Sequence, residues 1–191
     1  MKKHIAVFVS GSGSNFQSII DGVNNKEINA EIMLCVASKA GTLGEQRAID
    51  NGIATTVMDK SLGLENEFGR VAEMLTRLNV DYIILAGFLT ILPFSFVRKF
   101  KNKIINIHPS LIPKFSGDGF YGMRVHEAVI TAGETESGCT VHFVDEGIDT
   151  GDIIDKAIVA VLPSDTPETL QQRVLKEEHR LLPKVVKMLC D

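Results

Sequence analysis

The chain has 191 residues, 45% of them hydrophobic and 23% charged, with a formal net charge of −4. That balance suits one globular α/β domain, residues 1–191; with no basic run and no long apolar stretch, it excludes an obvious nucleic-acid surface and a membrane span. Cys35, Cys139 and Cys190 are too few and too scattered for a disulfide framework or a metal site, which points to a reducing cytoplasm and to no metal.

Met1-Lys2-Lys3-His4 leads directly into Ile5-Ala6-Val7-Phe8-Val9, with neither the long apolar region nor the cleavage site of a signal peptide. The apolar run reads as a strand covered on both faces. It ends in Ser10-Gly11-Ser12-Gly13-Ser14-Asn15, after which Phe16, Ile19, Ile20 and Val23 mark a helix. A Gly/Ser loop feeding a helix N-terminus is a natural anion site, because free N–H groups and the helix dipole both favour negative charge. Phe16 stands where the third glycine of a dinucleotide fingerprint belongs, and no Lys-Ser/Thr follows as in a P-loop, so a single phosphate is expected rather than NAD or ATP. The plainer reading is a strand-to-helix turn capped by Asn15 or Ser14.

Ala30 to Ala37 predicts a second strand, Leu43 to Asn51 a helix closed by Gly52, and Thr55 to Met58 a short third strand. Phe68, Val71, Ala72, Leu75 and Leu78 recur at helical spacing from Leu64 to Leu78, and Asp81 to Ala86 is a fourth strand. This alternation predicts an α/β, Rossmann-like parallel sheet flanked by helices, extended by the C-terminal strands into a mixed sheet. Ligands gather beyond the carboxyl ends of such strands. Phe88, Leu89, Ile91 and Leu92 are apolar for a loop; they line a slot for a flat ligand or staple the next short helix, Phe94 to Phe100.

In Ile104-Ile105-Asn106-Ile107-His108-Pro109-Ser110-Leu111, Asn106 and His108 alternate along a strand and so share a face. An amide and an imidazole together can stabilise an oxyanion, and the imidazole can move a proton. Two polar residues satisfied locally at a strand end are the alternative. Ser116 to Gly122 is a glycine-rich loop with the character of a lid, followed by a helix from Met123 to Thr131. Gly138 to Val144 alternates, with Cys139, Val141 and Phe143 on one face; His142, on the other, is read as structural, as are His4, His126 and His179.

The turn Asp145-Glu146-Gly147-Ile148-Asp149-Thr150-Gly151-Asp152 lacks the spacing of a calcium loop. Either it is a solvated turn or one of its carboxylates faces His108 and raises the imidazole pKa. A strand, Ile153 to Val161, follows. The last helix opens with Thr166 as cap and Pro167 in its first turn; Leu170, Val174, Leu181 and Val185 form its stripe, Glu178 falls on that stripe, and Pro183 is expected to kink or break it.

Four segments taken together resemble the phosphoribosylglycinamide formyltransferases, folate-dependent members of the formyltransferase superfamily, over essentially the whole chain. They are Ser10 to Asn15, Ala86-Gly87-Phe88, Asn106 to Leu111, and Thr140 to Val144 with Asp149-Thr150-Gly151. The resemblance implies the formyltransferase fold and formyl transfer from 10-formyltetrahydrofolate, a cosubstrate, to the amine of glycinamide ribonucleotide. It implies catalytic roles for Asn106, His108 and Asp149, phosphate binding by Gly11, Ser12, Gly13, Ser14 and Asn15, and ribose binding by Glu178. It also implies a folate slot formed by Leu89, Thr90, Ile91, Leu92, Asn106, Asp145, Glu146, Gly147, Ile148 and Asp149. Thr90 and Leu175 depart from residues found in some relatives. The partners implied are small molecules, in a monomer or homodimer. A formyltetrahydrofolate deformylase uses the same three residues with water as acceptor but usually carries an N-terminal regulatory domain, whereas here the catalytic strand begins at residue 4. A non-catalytic phospho-sugar module would explain the glycine loop and leave Asn106, His108 and Asp149 without a joint purpose.

Overall fold

The computed structural model describes residues 1–191, the side chain of Lys60 excepted. Seven strands form one sheet: β1 (Lys3–Val9), β2 (Ala30–Ala37), β3 (Thr55–Val57), β4 (Tyr82–Leu85), β5 (Ile104–His108), β6 (Glu136–Phe143) and β7 (Ile153–Ala160). Their order is β3-β2-β1-β4-β5-β6-β7. The first five are parallel, while β6 runs antiparallel to β5 and β7 antiparallel to β6, giving the mixed sheet expected. Five α-helices lie between strands, α1 (Ser14–Asn24), α2 (Leu43–Asp50), α3 (Leu64–Arg77), α4 (Phe94–Lys99) and α5 (Met123–Thr131), and a sixth, α6 (Pro167–Cys190), follows β7.

Alternation along β1 divides the core. Ile5, Val7 and Val9 pack with Phe16, Ile19 and Ile20 of α1 and with Leu170, Val174, Leu181 and Val185 of α6. Ala6 and Phe8 point the other way, into Phe68, Val71 and Leu75 of α3 and Phe96 of α4. On that second side Phe8 meets Phe88 edge-on with centroids 5.2 Å apart, and Phe68 meets Phe96 at 5.0 Å. Phe88 is therefore a core residue that fixes the start of the loop after β4. Leu89 and Ile91, each 62% exposed, are the loop residues left facing outward.

The chain passes from β1 to β2 and β3 on one side, then returns to β4 on the other. The loops after β1 and β4 consequently diverge at a topological switch point, where open α/β sheets bind ligands. They are tied together there: Ser10 N–H donates to Gly87 O at 3.2 Å, and Leu89 N–H donates to Ser10 Oγ at 3.0 Å.

Two local expectations change and a third gains detail. The cap of α1 is Gly13, at φ 68° with no side-chain cap bond, rather than Ser14 or Asn15; both of those lie inside the helix. α6 runs unbroken from Pro167 to Cys190 through Pro183, since the stripe on either side of that proline is held in the core. Thr166 does cap α6, but through a box with Thr169, each side chain accepting from the other's backbone N–H.

Candidate active site

The two central residues come from β5. Period-two alternation sends Ile105 and Ile107 into the α1/α6 core, leaving Asn106 and His108 on the α3/α4 side. The antiparallel neighbour presents its own alternate set there: Asn106 pairs with His142, and His108 with Thr140. Asp149 arrives from the turn between β6 and β7, held in a left-handed conformation at φ 56°. Its Oδ2 lies 3.3 Å from His108 Nδ1, and its Oδ1 lies 3.5 Å from His142 Nε2. Of the four carboxylates in the turn, Asp149 is thus the one beside His108.

Backbone groups complete the surroundings. His108 Nε2 is 2.9 Å from the carbonyl of Phe115, to which it donates, and Gly117 N–H donates to Asp149 Oδ2 at 3.0 Å. The glycine-rich segment after Pro113 therefore touches both members of the His-Asp pair. His142 Nδ1 donates to Phe143 O at 2.8 Å, and Asn106 Nδ2 is 3.3 Å from His142 Nε2. As an acceptor, that nitrogen takes one amide hydrogen of Asn106 and leaves the second free.

His108 and Asp149 shift in the same direction for different reasons. Burial lowers the His108 pKa more than anything else; the Asp149 charge and the Phe115 carbonyl oppose this, and the His142 charge adds to it. The net is a lowered pKa, the reverse of the rise that a neighbouring carboxylate alone would cause, because desolvation of an imidazolium outweighs one partner. Burial raises the Asp149 pKa, but the His142 imidazole, the His108 charge and the Gly117 N–H together hold it below the usual carboxylate range.

Asn106, His108, His142 and Asp149 stand at the wall of a cavity of about 430 Å³. All ten residues expected to form a flat-ligand slot line it: Leu89 to Leu92 on one side, Asp145 to Asp149 on the other, with Asn106 between them. Gly117 to Tyr121 border it as well.

The Gly11 to Asn15 loop and Glu178 lie outside that cavity, around the N-terminus of α1. Its first helical bond runs from Gln17 N–H to Gly13 O at 2.9 Å, so the N–H groups of Ser14, Asn15 and Phe16 take no helical partner. Asn15 Nδ2 donates to Glu178 Oε2 at 2.6 Å, joining α1 to α6. Burial raises the Glu178 pKa, with the Asn15 bond acting against it. Asn15 Oδ1 is buried without a partner.

Sequence reasoning missed His142. The alternation that paired Asn106 with His108 also sets Thr140, His142 and Val144 on one face; the missing signal was the strand register that puts His142 opposite Asn106. The Phe115 carbonyl and Gly117 N–H were invisible because backbone groups carry no residue-type signature.

An amide, an imidazole and a carboxylate converging on one cavity wall form the equipment of an acyl-transfer site. Residues 3–186 match the family model described as "Formyl transferase", and the chain belongs to that family. It is 42% identical over 195 residues to the chloroplastic phosphoribosylglycinamide formyltransferase of Arabidopsis thaliana, covering 100% of this chain and 66% of that protein. The chain therefore spans just under two thirds of that relative's length. Among solved structures, glycinamide ribonucleotide transformylase 1 from Symbiobacterium toebii superposes with a TM-score of 0.92 at 35% identity, over 99% of this chain and 88% of that one. The protein of the same name from Geobacillus kaustophilus gives 0.91 at 33% identity and covers 100% of both chains.

Proposed function

We propose that residues 1–191 form a single catalytic domain that transfers the formyl group of 10-formyltetrahydrofolate to the amine of glycinamide ribonucleotide, a step of de novo purine biosynthesis. The observation that carries this reading is the His108–Asp149 pair, 3.3 Å apart, beside Asn106 at the wall of the slot. The relatives named above support the choice of substrates.

In this reading the pterin ring enters between Leu89–Leu92 and Asp145–Asp149, while the phosphate of the ribonucleotide rests on the N-terminus of α1 and its ribose meets Glu178. The amine lone pair adds to the formyl carbon, and the carbonyl π pair moves onto oxygen. The free Nδ2–H of Asn106 donates to that oxyanion, and the positive charge of protonated His108, whose two N–H groups face Asp149 and the Phe115 carbonyl, stabilises it. Removing one such donor typically costs about 3–4 kcal/mol of transition-state stabilisation. The added amine then loses a proton, the C–N10 bond breaks, and N10 receives a proton, leaving formylated ribonucleotide and tetrahydrofolate. Asp149, charged beside Nδ1, stabilises the imidazolium while those protons move.

Mixing the protein with 10-formyltetrahydrofolate, with and without glycinamide ribonucleotide, tests the proposal. Tetrahydrofolate is expected to appear only when the ribonucleotide is present. Release at equal rates in both mixtures would make the chain a hydrolase, and release in neither would make it a binding module.

A further inference from the structure

The loop between β1 and α1 is shaped from outside the sheet, by α2. The carbonyl of Gly11 accepts from Gly44 N–H at 3.0 Å, and the carbonyl of Ser12 accepts from Arg47 Nε at 2.9 Å. In a trans peptide the carbonyl and the following N–H point in opposite directions. Anchoring these two carbonyls on α2 therefore turns the N–H groups of Ser12 and Gly13 away from it. Neither N–H has a backbone partner among the described residues. They extend the set of free donors begun by Ser14, Asn15 and Phe16, making a concave run of N–H groups of the kind that holds an anion.

The packing leaves little freedom. Gly13 sits at φ +68°, and a Cβ there would lie 2.5 Å from Gly44 Cα. Arg47 holds the loop at a second point as well, donating from Nη1 to Gln17 Oε1 at 2.8 Å in the first turn of α1. A separate sign of a ligand lies in that turn: Asn15, only 7% exposed, keeps its amide oxygen without a partner.

We propose that Arg47 is a positioning residue for the phosphate of the substrate, acting by holding the Ser12 carbonyl so that the Ser12 and Gly13 N–H groups face the anion. This rests on the reading of the Gly11 to Asn15 loop as a phosphate cradle. The guanidinium also sets a positive charge behind the cradle.

Two measurements test it. Inorganic phosphate titrated into ¹⁵N-labelled protein is expected to shift the amide signals of Ser12 and Gly13, and Arg47→Met is expected to weaken that binding about tenfold. In steady-state kinetics the same variant should raise KM for glycinamide ribonucleotide about tenfold, with kcat and KM for 10-formyltetrahydrofolate changing less than about twofold. The unphosphorylated riboside should react equally well with both proteins. Should Arg47→Met unfold, Gln17→Ala, which removes the other anchor of the guanidinium, is expected to show the same pattern at about threefold. Parent-like phosphate binding and KM in the variant, or an equal loss with the riboside, overturns the role of Arg47. Absence of any amide response in the parent protein overturns the cradle itself, and the proposal with it, whatever the formyl-transfer assay shows.

Discussion

Asp149→Asn is expected to lower kcat by about 10²- to 10⁴-fold while the protein stays folded. Asparagine keeps the shape of the side chain and tolerates the left-handed backbone at this position, φ 56°. What it removes is the negative charge 3.3 Å from His108 Nδ1. That charge raises the His108 pKa against the larger lowering by burial, so its loss moves the titration of His108 to still lower pH. Less imidazolium is then present at neutral pH, and the oxyanion loses the positive charge that stabilises it. Steady-state rates and an NMR titration of His108 check both halves. An unchanged kcat would remove Asp149 from the mechanism, and a His108 pKa that rises in the variant would reverse the assigned electrostatics.

The second large effect concerns stability. His126, on α5, is 2% exposed, and its Nδ1 has no hydrogen-bond partner. Burial, with the His108 charge adding to it, lowers its pKa from 6.5 to about 4. Between these values the unfolded chain binds more protons than the folded one, so stability rises with pH. The contribution is complete above about pH 6.5 and is lost as the pH falls toward 4. The gap between 6.5 and about 4 corresponds to about 3 kcal/mol. His126→Leu should therefore flatten the acid limb of the stability profile by that amount, with little cost at pH 7 because a buried unpaired polar atom is removed. Urea unfolding of both proteins from pH 7 to pH 4 gives the answer; parallel profiles would show that His126 is not the group responsible.

How far the sequence reached depended on the kind of information each feature needs. Apolar runs and helical spacing are local, so Ala30–Ala37 and Met123–Thr131 coincide with their expected bounds, and the other elements differ only near their ends. Asn106 and His108 were legible because their relation is an alternation within one strand. Residue chemistry alone left Asp149 as one of several carboxylates, since its approach to His108 depends on the turn returning to β5; the family resemblance singled it out. The approach of His142 to Asn106 was not legible because it depends on pairing across strands. The net pKa of His108 was misread because a nearby charge can be guessed from sequence, whereas the depth of burial that outweighs it depends on the assembled structure. Pro183 was expected to kink or break α6, and no break occurs, because the apolar stripe on both sides of the proline is buried against partners that only the assembled core supplies.

The bond between Asn15 and Glu178 joins residues 163 positions apart. During synthesis, the first helix leaves the ribosome with Phe16, Ile19 and Ile20 ready for a partner that does not yet exist. At about 5–20 residues per second, some 8–30 s pass before the carboxylate that meets Asn15 has been made. For that interval the nascent chain carries a sticky apolar stripe. The last helix is thus the final cover of the core and the event that closes the α1–α6 contact, so a chain released early would be exposed to aggregation.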